Sequence, residues 1–311
     1  MSDIKALLID ADIIVYRAGF SAQKNYSTAT HTLTREVVAD KDKLGDYPTR
    51  NKLLNYILES GGNVADYTIE EQVVVMPEGY ARHAAKLIIT QILDKFPGCP
   101  YKLFLTSTDK SNFRFKRATL KVYKGNRKSS AKPAHYDVVR DYLIGFWNAE
   151  VVEGIEADDK LSLLQTKASA KYGEDVTCIV TIDKDLDMVP GYHYNFVKDE
   201  VMHTDALGSL QLDTLKSSNR KVLHGSGLKW FYAQMLLGDN ADNIPGITGC
   251  GAVKVYTLLN PCVTEKELQK AVAGEYKKFY KDKAKEAFAE VGELLWMQQT
   301  GRLKPFSKRS E

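Results

Sequence analysis

Apolar residues along this chain come in short runs, several of which end on carboxylates. Residues 6 to 15, ALLIDADIIV, form one such run. Its continuity suits a strand buried on both faces of a parallel sheet, with Asp10 and Asp12 towards its C-terminal end. KLFLTST (102–108) predicts a strand ending near Asp109, and VTCIVTI (176–182) predicts one stopping at Asp183. ARHAAKLIITQILDKF (81–96) has helical spacing and ends before Pro97-Gly98, and a further helix is predicted from Asp158. Alternating strands and helices predict an α/β fold: a doubly wound, mostly parallel sheet with helices on both faces.

Between about residues 24 and 79 lies a polar segment with its own pattern: alternating HTLTREVV, helical TRNKLLNYILESGG and alternating YTIEEQVVV. It predicts an inserted β-α-β piece. After the strand-like HYNFV (193–197), a basic stretch containing SSNRKVLHGSG leads into helical KWFYAQMLLGD, a glycine-punctuated turn and helical AVKVYTLL. From Glu265 the tail reads as helical, with apolar residues at helical intervals from Tyr276 to Met297. The expected organisation is a core over 1–225, carrying the insertion and a basic arch at about 110–136, followed by a helical region over 226–311.

The bulk numbers exclude little. The 311 residues, 44% hydrophobic and 27% charged, suffice for a sizeable core and lack the low hydrophobicity of a disordered chain. The net charge of +3 averages 43 basic against 40 acidic residues, so local segregation carries more information than the sum. Cys99, Cys178, Cys250 and Cys262 lack metal-site or paired spacing and read as idle thiols of a reducing compartment. The first apolar run is too short, and interrupted by carboxylates too early, for a membrane span or signal. The expected location is therefore cytoplasmic, with no membrane partner.

Eleven acidic residues fall in five short clusters: Asp10 and Asp12; Asp109; Glu156, Asp158 and Asp159; Asp183, Asp185 and Asp187; Asp239 and Asp242. Several follow predicted strands, the edge where open α/β sheets bind ligands. So many carboxylates at one edge would repel unless cations neutralised them. An all-oxygen set selects magnesium or manganese over zinc. Two ions about 3.5 to 4 Å apart would serve both oxygens of a phosphoryl transfer. Any single one of these acids is more simply a turn former or helix cap; clusters after several strands are harder to explain that way.

From Lys110 to Tyr136 nine Lys or Arg residues occur without one acid, and Phe113, Phe115 and Tyr123 are interleaved. Cations for phosphates and rings for bases suit single-stranded nucleic acid, and a solvated basic face is the equal alternative. In NIPGITGCG (243–251), Gly246, Gly249 and Gly251 permit a tight turn whose amides open towards the next helix, where a phosphate could sit within reach of Lys254. An ordinary packing corner is the competing reading.

The chain resembles the structure-specific 5′-nuclease family, in particular the phage 5′-to-3′ exonucleases and flap endonucleases. The resemblance rests on LLIDADII, YKGNR (123–127), GIEADD (154–159), TIDKDLD (181–187) and GDNADNIPGITGCGAVK (238–254). It implies a first Mg2+ or Mn2+ held by Asp10, Asp109, Glu156 and Asp158, and a second by Asp159, Asp183, Asp185, Asp239 and Asp242. It further implies that Lys124 and Arg127 contact the scissile phosphate at the base of a helical arch, with Lys128 beside them and Tyr123 available to stack on a base. The glycine turn becomes a helix-hairpin-helix type clamp on duplex DNA, with a monovalent cation such as K+. Partners implied are DNA with 5′ ends or flaps, an RNA-DNA hybrid and a replication protein, the enzyme acting as a monomer and, if phage-encoded, in the host cytoplasm. The insertion and Gln234, where some members carry lysine, depart from the family pattern.

Two other readings compete. A haloacid-dehalogenase-like phosphatase would use Asp10 as nucleophile, Asp12 as acid, Thr181 and the Asp239–Asp242 loop. It leaves GIEADD, YKGNR and the glycine turn unexplained. A non-catalytic nucleic-acid-binding module would need the basic and glycine segments but not the carboxylates. The expected reaction is hydrolysis of a phosphodiester by metal-activated water, giving a 5′-phosphate and a 3′-hydroxyl.

Overall fold

The structure, a computed structural model, describes residues 4 to 126 and 132 to 300. In chain order the first elements are β1 (Ala6–Asp10), α1 (Ala11–Ser21), β2 (Gln23–His31), α2 (Lys41–Leu44), α3 (Arg50–Glu59), β3 (Tyr67–Val75), α4 (Glu78–Lys95), β4 (Tyr101–Thr106) and α5 (Arg114–Arg117). Next come α6 (Tyr136–Trp147), β5 (Glu150–Val152), α7 (Ala157–Tyr172), β6 (Thr177–Val180), β7 (Gly191–Asn195), β8 (Glu200–Thr204), β9 (Leu210–Thr214) and β10 (Lys221–Gly225). The last are α8 (Gly227–Leu237), α9 (Ala252–Leu259), α10 (Glu265–Tyr280) and α11 (Ala284–Leu295). The chain folds as two units, one of Met1–Ile13, Gln91–Ala131 and Leu143–Glu311, the other of Ile14–Thr90 and Lys132–Tyr142.

The first unit is built on a six-stranded sheet of order β5-β4-β1-β6-β7-β8. β5, β4, β1, β6 and β7 run parallel, and only β8 is antiparallel, folded back on β7. Starting from β1 the chain adds strands on one side, then crosses to add β6 on the other. The strand order therefore reverses at β1, and the crevice outside the carboxyl ends opens there.

The apolar run predicted as one strand over 6–15 is in fact strand and helix. Asp10 Oδ1 accepts from the amides of Asp12 (3.1 Å) and Ile13 (3.4 Å), so its side chain caps α1 and stops β1. A run buried on all sides has no periodicity to distinguish the two states. The same holds for α8, in which ten of eleven residues are buried; here the expected helix forms. Phe231 meets Trp296 edge-on at 5.0 Å, and the Tyr276 hydroxyl donates to Met235 O (2.8 Å), joining α8 to α10 and the end of α11. The stretch between HYNFV and α8 holds the antiparallel pair β9–β10, and HYNFV belongs to the β7–β8 hairpin.

In the second unit β2 and β3 pair antiparallel over nine residues each. Leu44, Leu53 and Ile57 of α2 and α3 pack with Ala29 as a small core. The alternation in HTLTREVV does not continue a strand: Arg35 takes φ +63° and donates its amide to His31 O (3.0 Å), turning the chain after β2. Among the described residues no helix is long and apolar enough to cross a membrane.

Candidate active site

The acids of the first unit converge on the C-terminal edge of the sheet. Asp10 closes β1 and is buried. Its Oδ2 accepts from Thr181 Oγ1 (2.9 Å), which in turn accepts from the amide of Asp183 (3.0 Å). The ends of β1 and β6 are thereby tied. Asp12 Oδ2 accepts from the amide of Thr106 at the end of β4 (3.0 Å), and Thr106 Oγ1 accepts from the amide of Ala157 at the start of α7 (2.9 Å). These bonds tie the ends of β1, β4 and β6 and the start of α7 to one another. Beyond β6 the chain turns on its own carboxylate, Asp183 Oδ1 accepting from the amide of Asp185 (2.9 Å).

These acids feel one another. Burial, then the charges of Asp12 and Asp183, push Asp10 up to about 8. Burial and the charges of Asp10, Asp183, Glu156 and Asp12 push Asp158 well above the carboxylate range. Burial and Asp185 raise Asp183 to about 6, burial and Asp183 raise Asp187 to about 7, and burial and Asp185 raise Asp239. A divalent cation would relieve that repulsion, and the donors are all hard oxygens, so the residues fit Mg2+ or Mn2+. Among the described residues, no group of three or more His, Cys, Asp or Glu side chains stands placed to hold a metal ion.

Protein cations already engage part of the set. Burial opposes the ionisation of Glu156, but Lys124 and Arg114 beside it prevail and hold its pKa below the usual range. Lys124, at φ +54°, donates to Glu156 and lies 3.8 Å from Asp242 Oδ2. Its amide donates to Asp242 O (2.9 Å), while Asn243 Nδ2 donates to Val122 O (2.8 Å) and Asn126 Nδ2 to Asn240 O. The segment 122–126 therefore lies along the turn 239–244, itself closed by paired amide bonds between Asp239 and Ile244 (2.9 and 2.7 Å). Two motifs more than a hundred residues apart in sequence make one wall of the site.

Four expected roles need correction. Asp159 does not face the other carboxylates as a free ligand. It is 0% exposed, accepts Arg114 Nη1 and Nη2 at 2.5 and 3.0 Å, and also accepts the amides of Glu156 (3.3 Å) and Gln298 (3.2 Å). Asp109 is exposed in the turn after β4, where its Oδ1 accepts from the amide of Ser111 (2.9 Å), apart from the buried set. Tyr123 is buried rather than available for stacking; its hydroxyl donates to Asp242 Oδ2 (2.6 Å) and lies 3.1 Å from Glu156 Oε2. Among its described residues the basic segment is not a solvated face throughout. Arg114 is inside, also donating to Leu294 O (2.8 Å) and Trp296 O (3.2 Å), and Arg117 pairs with Glu293 of α11. Arg127 and Lys128 lie outside the described residues.

At the glycine turn, Gly249 takes φ +84° with open space around it, whereas Gly251 has an ordinary φ of −82° and open space. A side chain at Gly251 would therefore not strain the turn. Gly246 is a packing glycine: a Cβ there would meet Leu237 O at 2.3 Å. Lys254 is ion-paired to Glu275 (2.6 Å), and the two lysines Lys254 and Lys278 hold Glu275 down to about 2. The roles of Arg114 and Asp12 were missed. Nothing in a run of nine basic residues marks the one that goes inside, and the Asp-x-Asp spacing was the available signal for Asp12.

No family model matches the chain. In sequence it is 30% identical over 166 residues to the thermostable DNA polymerase I of Thermus thermophilus, and equally to that of Thermus caldophilus. The match covers 51% of this chain but only 18% of each polymerase, so the chain spans a small part of these curated relatives. Among solved structures, a bacteriophage T5 protein crystallised with metal ions matches at a TM-score of 0.46 and 15% identity, covering 93% of this chain and 95% of that one. A T5 flap endonuclease in complex with DNA and metal ions matches at 0.39 and 16% identity, covering 69% and 86%. In its motifs LLIDADII, YKGNR, GIEADD, TIDKDLD and GDNADNIPGITGCGAVK the chain is similar to the structure-specific 5′-nuclease family.

Proposed function

We propose that the chain is a divalent-metal-dependent 5′ nuclease, hydrolysing phosphodiesters at or near the 5′ ends of DNA. The observation that carries this reading is the convergence of Asp10, Asp158 and Asp183 at the switch point of the sheet, their charges unbalanced, against a wall that presents Lys124. Mg2+ or Mn2+ bound by these oxygens would activate water and neutralise charge on the leaving oxygen. The chain supplies the rest. Glu156 and Asp242 hold Lys124 at the rim, where its ammonium can stabilise charge developing on a phosphate. Thr181 and Thr106 fix the strand ends so that the carboxylates need not reorganise when substrate binds. Asp159 takes a structural part beside them.

The region 226–311 is the proposed duplex-binding part, with Gly249 giving the turn its shape. DNA with a 5′ end or flap is the proposed substrate, an RNA-DNA hybrid a further one, and 5′-phosphate and 3′-hydroxyl the proposed products. The test is a gel assay on duplex, nicked and 5′-flap DNA labelled at either end, with magnesium or with excess chelator. Expected are short 5′-labelled products carrying a 5′-phosphate, formed only with the metal. Turnover in chelator would sink the metal-dependent reading, and a hydroxylamine-sensitive aspartyl-phosphate on Asp10 would replace it with the phosphatase one.

A further inference from the structure

Helix α8 meets the acidic loop after β6 with two side chains spaced four residues apart, and so on one face of the helix. Trp230 Nε1 donates to Lys184 O (2.9 Å), and Gln234 Nε2 donates to Asp185 Oδ1 (2.5 Å). Consecutive residues of the loop are thus gripped by consecutive turns of a helix that is itself buried. Asp185 Oδ1 also accepts from Lys184 Nζ (2.7 Å). That oxygen is taken twice, which turns Oδ2 into the atom through which Asp185 can act.

Gln234 is a costly choice for this place. It is 2% exposed, and its Oε1 is buried without a partner among the described residues. A buried amide with one end unsatisfied is destabilising where an apolar side chain of the same shape would not be. What the amide provides, and methionine cannot, is the donor to Asp185.

We infer that Gln234 is a positioning residue that, with Trp230 beside it, orients the Asp185 carboxylate for a divalent cation. The inference rests on the metal-dependent reading above. Ligating carboxylates are commonly held by such outer hydrogen bonds, whose loss weakens metal binding by about 10- to 100-fold.

The test is a titration of the intact protein with Mn2+ alone, without DNA, followed by the electron paramagnetic resonance of free Mn2+. Gln234→Met keeps the shape and removes the donor, and should weaken one class of site about tenfold. Trp230→Phe should weaken the same class less. Because Gln234 acts through Asp185, Asp185→Asn and the double variant Gln234→Met/Asp185→Asn should bind Mn2+ equally. Thermal melts without metal provide the folding control, and Gln234→Met should melt no lower than the wild type. Wild-type affinity in Gln234→Met, or a double variant weaker than Asp185→Asn, would overturn the inference while leaving the metal reading in place. A wild-type protein that takes up no Mn2+ would overturn both.

Discussion

Removing the guanidinium of Arg114 should be among the most damaging single changes in the first unit. Arg114 is 1% exposed and Asp159 0%, and four of the guanidinium's contacts are fixed: both oxygens of Asp159, Leu294 O and Trp296 O. Glu156 Oε2 lies 3.8 Å away as a further acid. In Arg114→Met a buried carboxylate keeps its desolvation penalty and loses its counter-charge, which costs about 3–5 kcal/mol. That is a large share of the roughly 5–15 kcal/mol that stabilises a typical protein. At about 2–4 °C per kcal/mol, the thermal midpoint should fall by roughly 10 °C. Asp159→Leu, which strands the cation instead, should fall comparably. The double variant Arg114→Met/Asp159→Leu should be more stable than either single one, since both charges have gone. Calorimetry of the four proteins without divalent metal measures this cycle. As a control, Lys5→Ala breaks a pair of similar length, 3.0 Å from Glu174, but with both side chains more than half exposed, and should leave the midpoint within error. Single variants within about 1 kcal/mol of wild type, or a double variant losing the sum of both, would refute the account of a buried pair that must be kept or removed whole.

Three other outcomes follow from the geometry. Asp183, raised to about 6 chiefly by burial, pays for its charge at neutral pH, so Asp183→Asn should abolish cleavage yet raise the metal-free melting point, by up to about 3 kcal/mol of stability. His193 is buried with Nε2 at 2.7 Å from Val189 O, and burial lowers its pKa from 6.5 to about 4. The neutral ring is therefore the folded form: its contribution is full above pH 6.5 and is lost as pH falls towards 4. It amounts to on the order of 3 kcal/mol, and urea midpoints of wild type and His193→Phe at pH 7 and pH 4.5 should converge by about that much on acidification. At the glycine turn, Gly246→Ala forces a Cβ against Leu237 O and should lower the melting point most, Gly249→Ala should cost about 1 kcal/mol through its positive φ, and Gly251→Ala should be tolerated.

The sequence by itself determined the sheet and the identity of its acidic edge. Apolar runs that carry or stop near Asp10, Asp109 and Asp183 are short-range patterns, and wherever strands of a parallel sheet stop, their last residues share one edge. It also announced α4, α7 and α10, the last from Glu265 onward. What it could not determine was which member of a cluster does what. Asp158 and Asp159 are neighbours on α7, yet one joins the repelling acids and the other is neutralised by Arg114, because a helix turns about a third of a circle per residue. Nothing in the composition of 110–136 separates Arg114, drawn inside by α11 and Asp159, from the exposed Lys110, Lys116 and Lys121. Tyr123 reads as a stacking ring until Asp242 and Glu156 claim its hydroxyl. These are long-range pairings, made by residues up to 182 positions apart. Only the packed fold decides them, since only there does burial set the cost of leaving a charge alone.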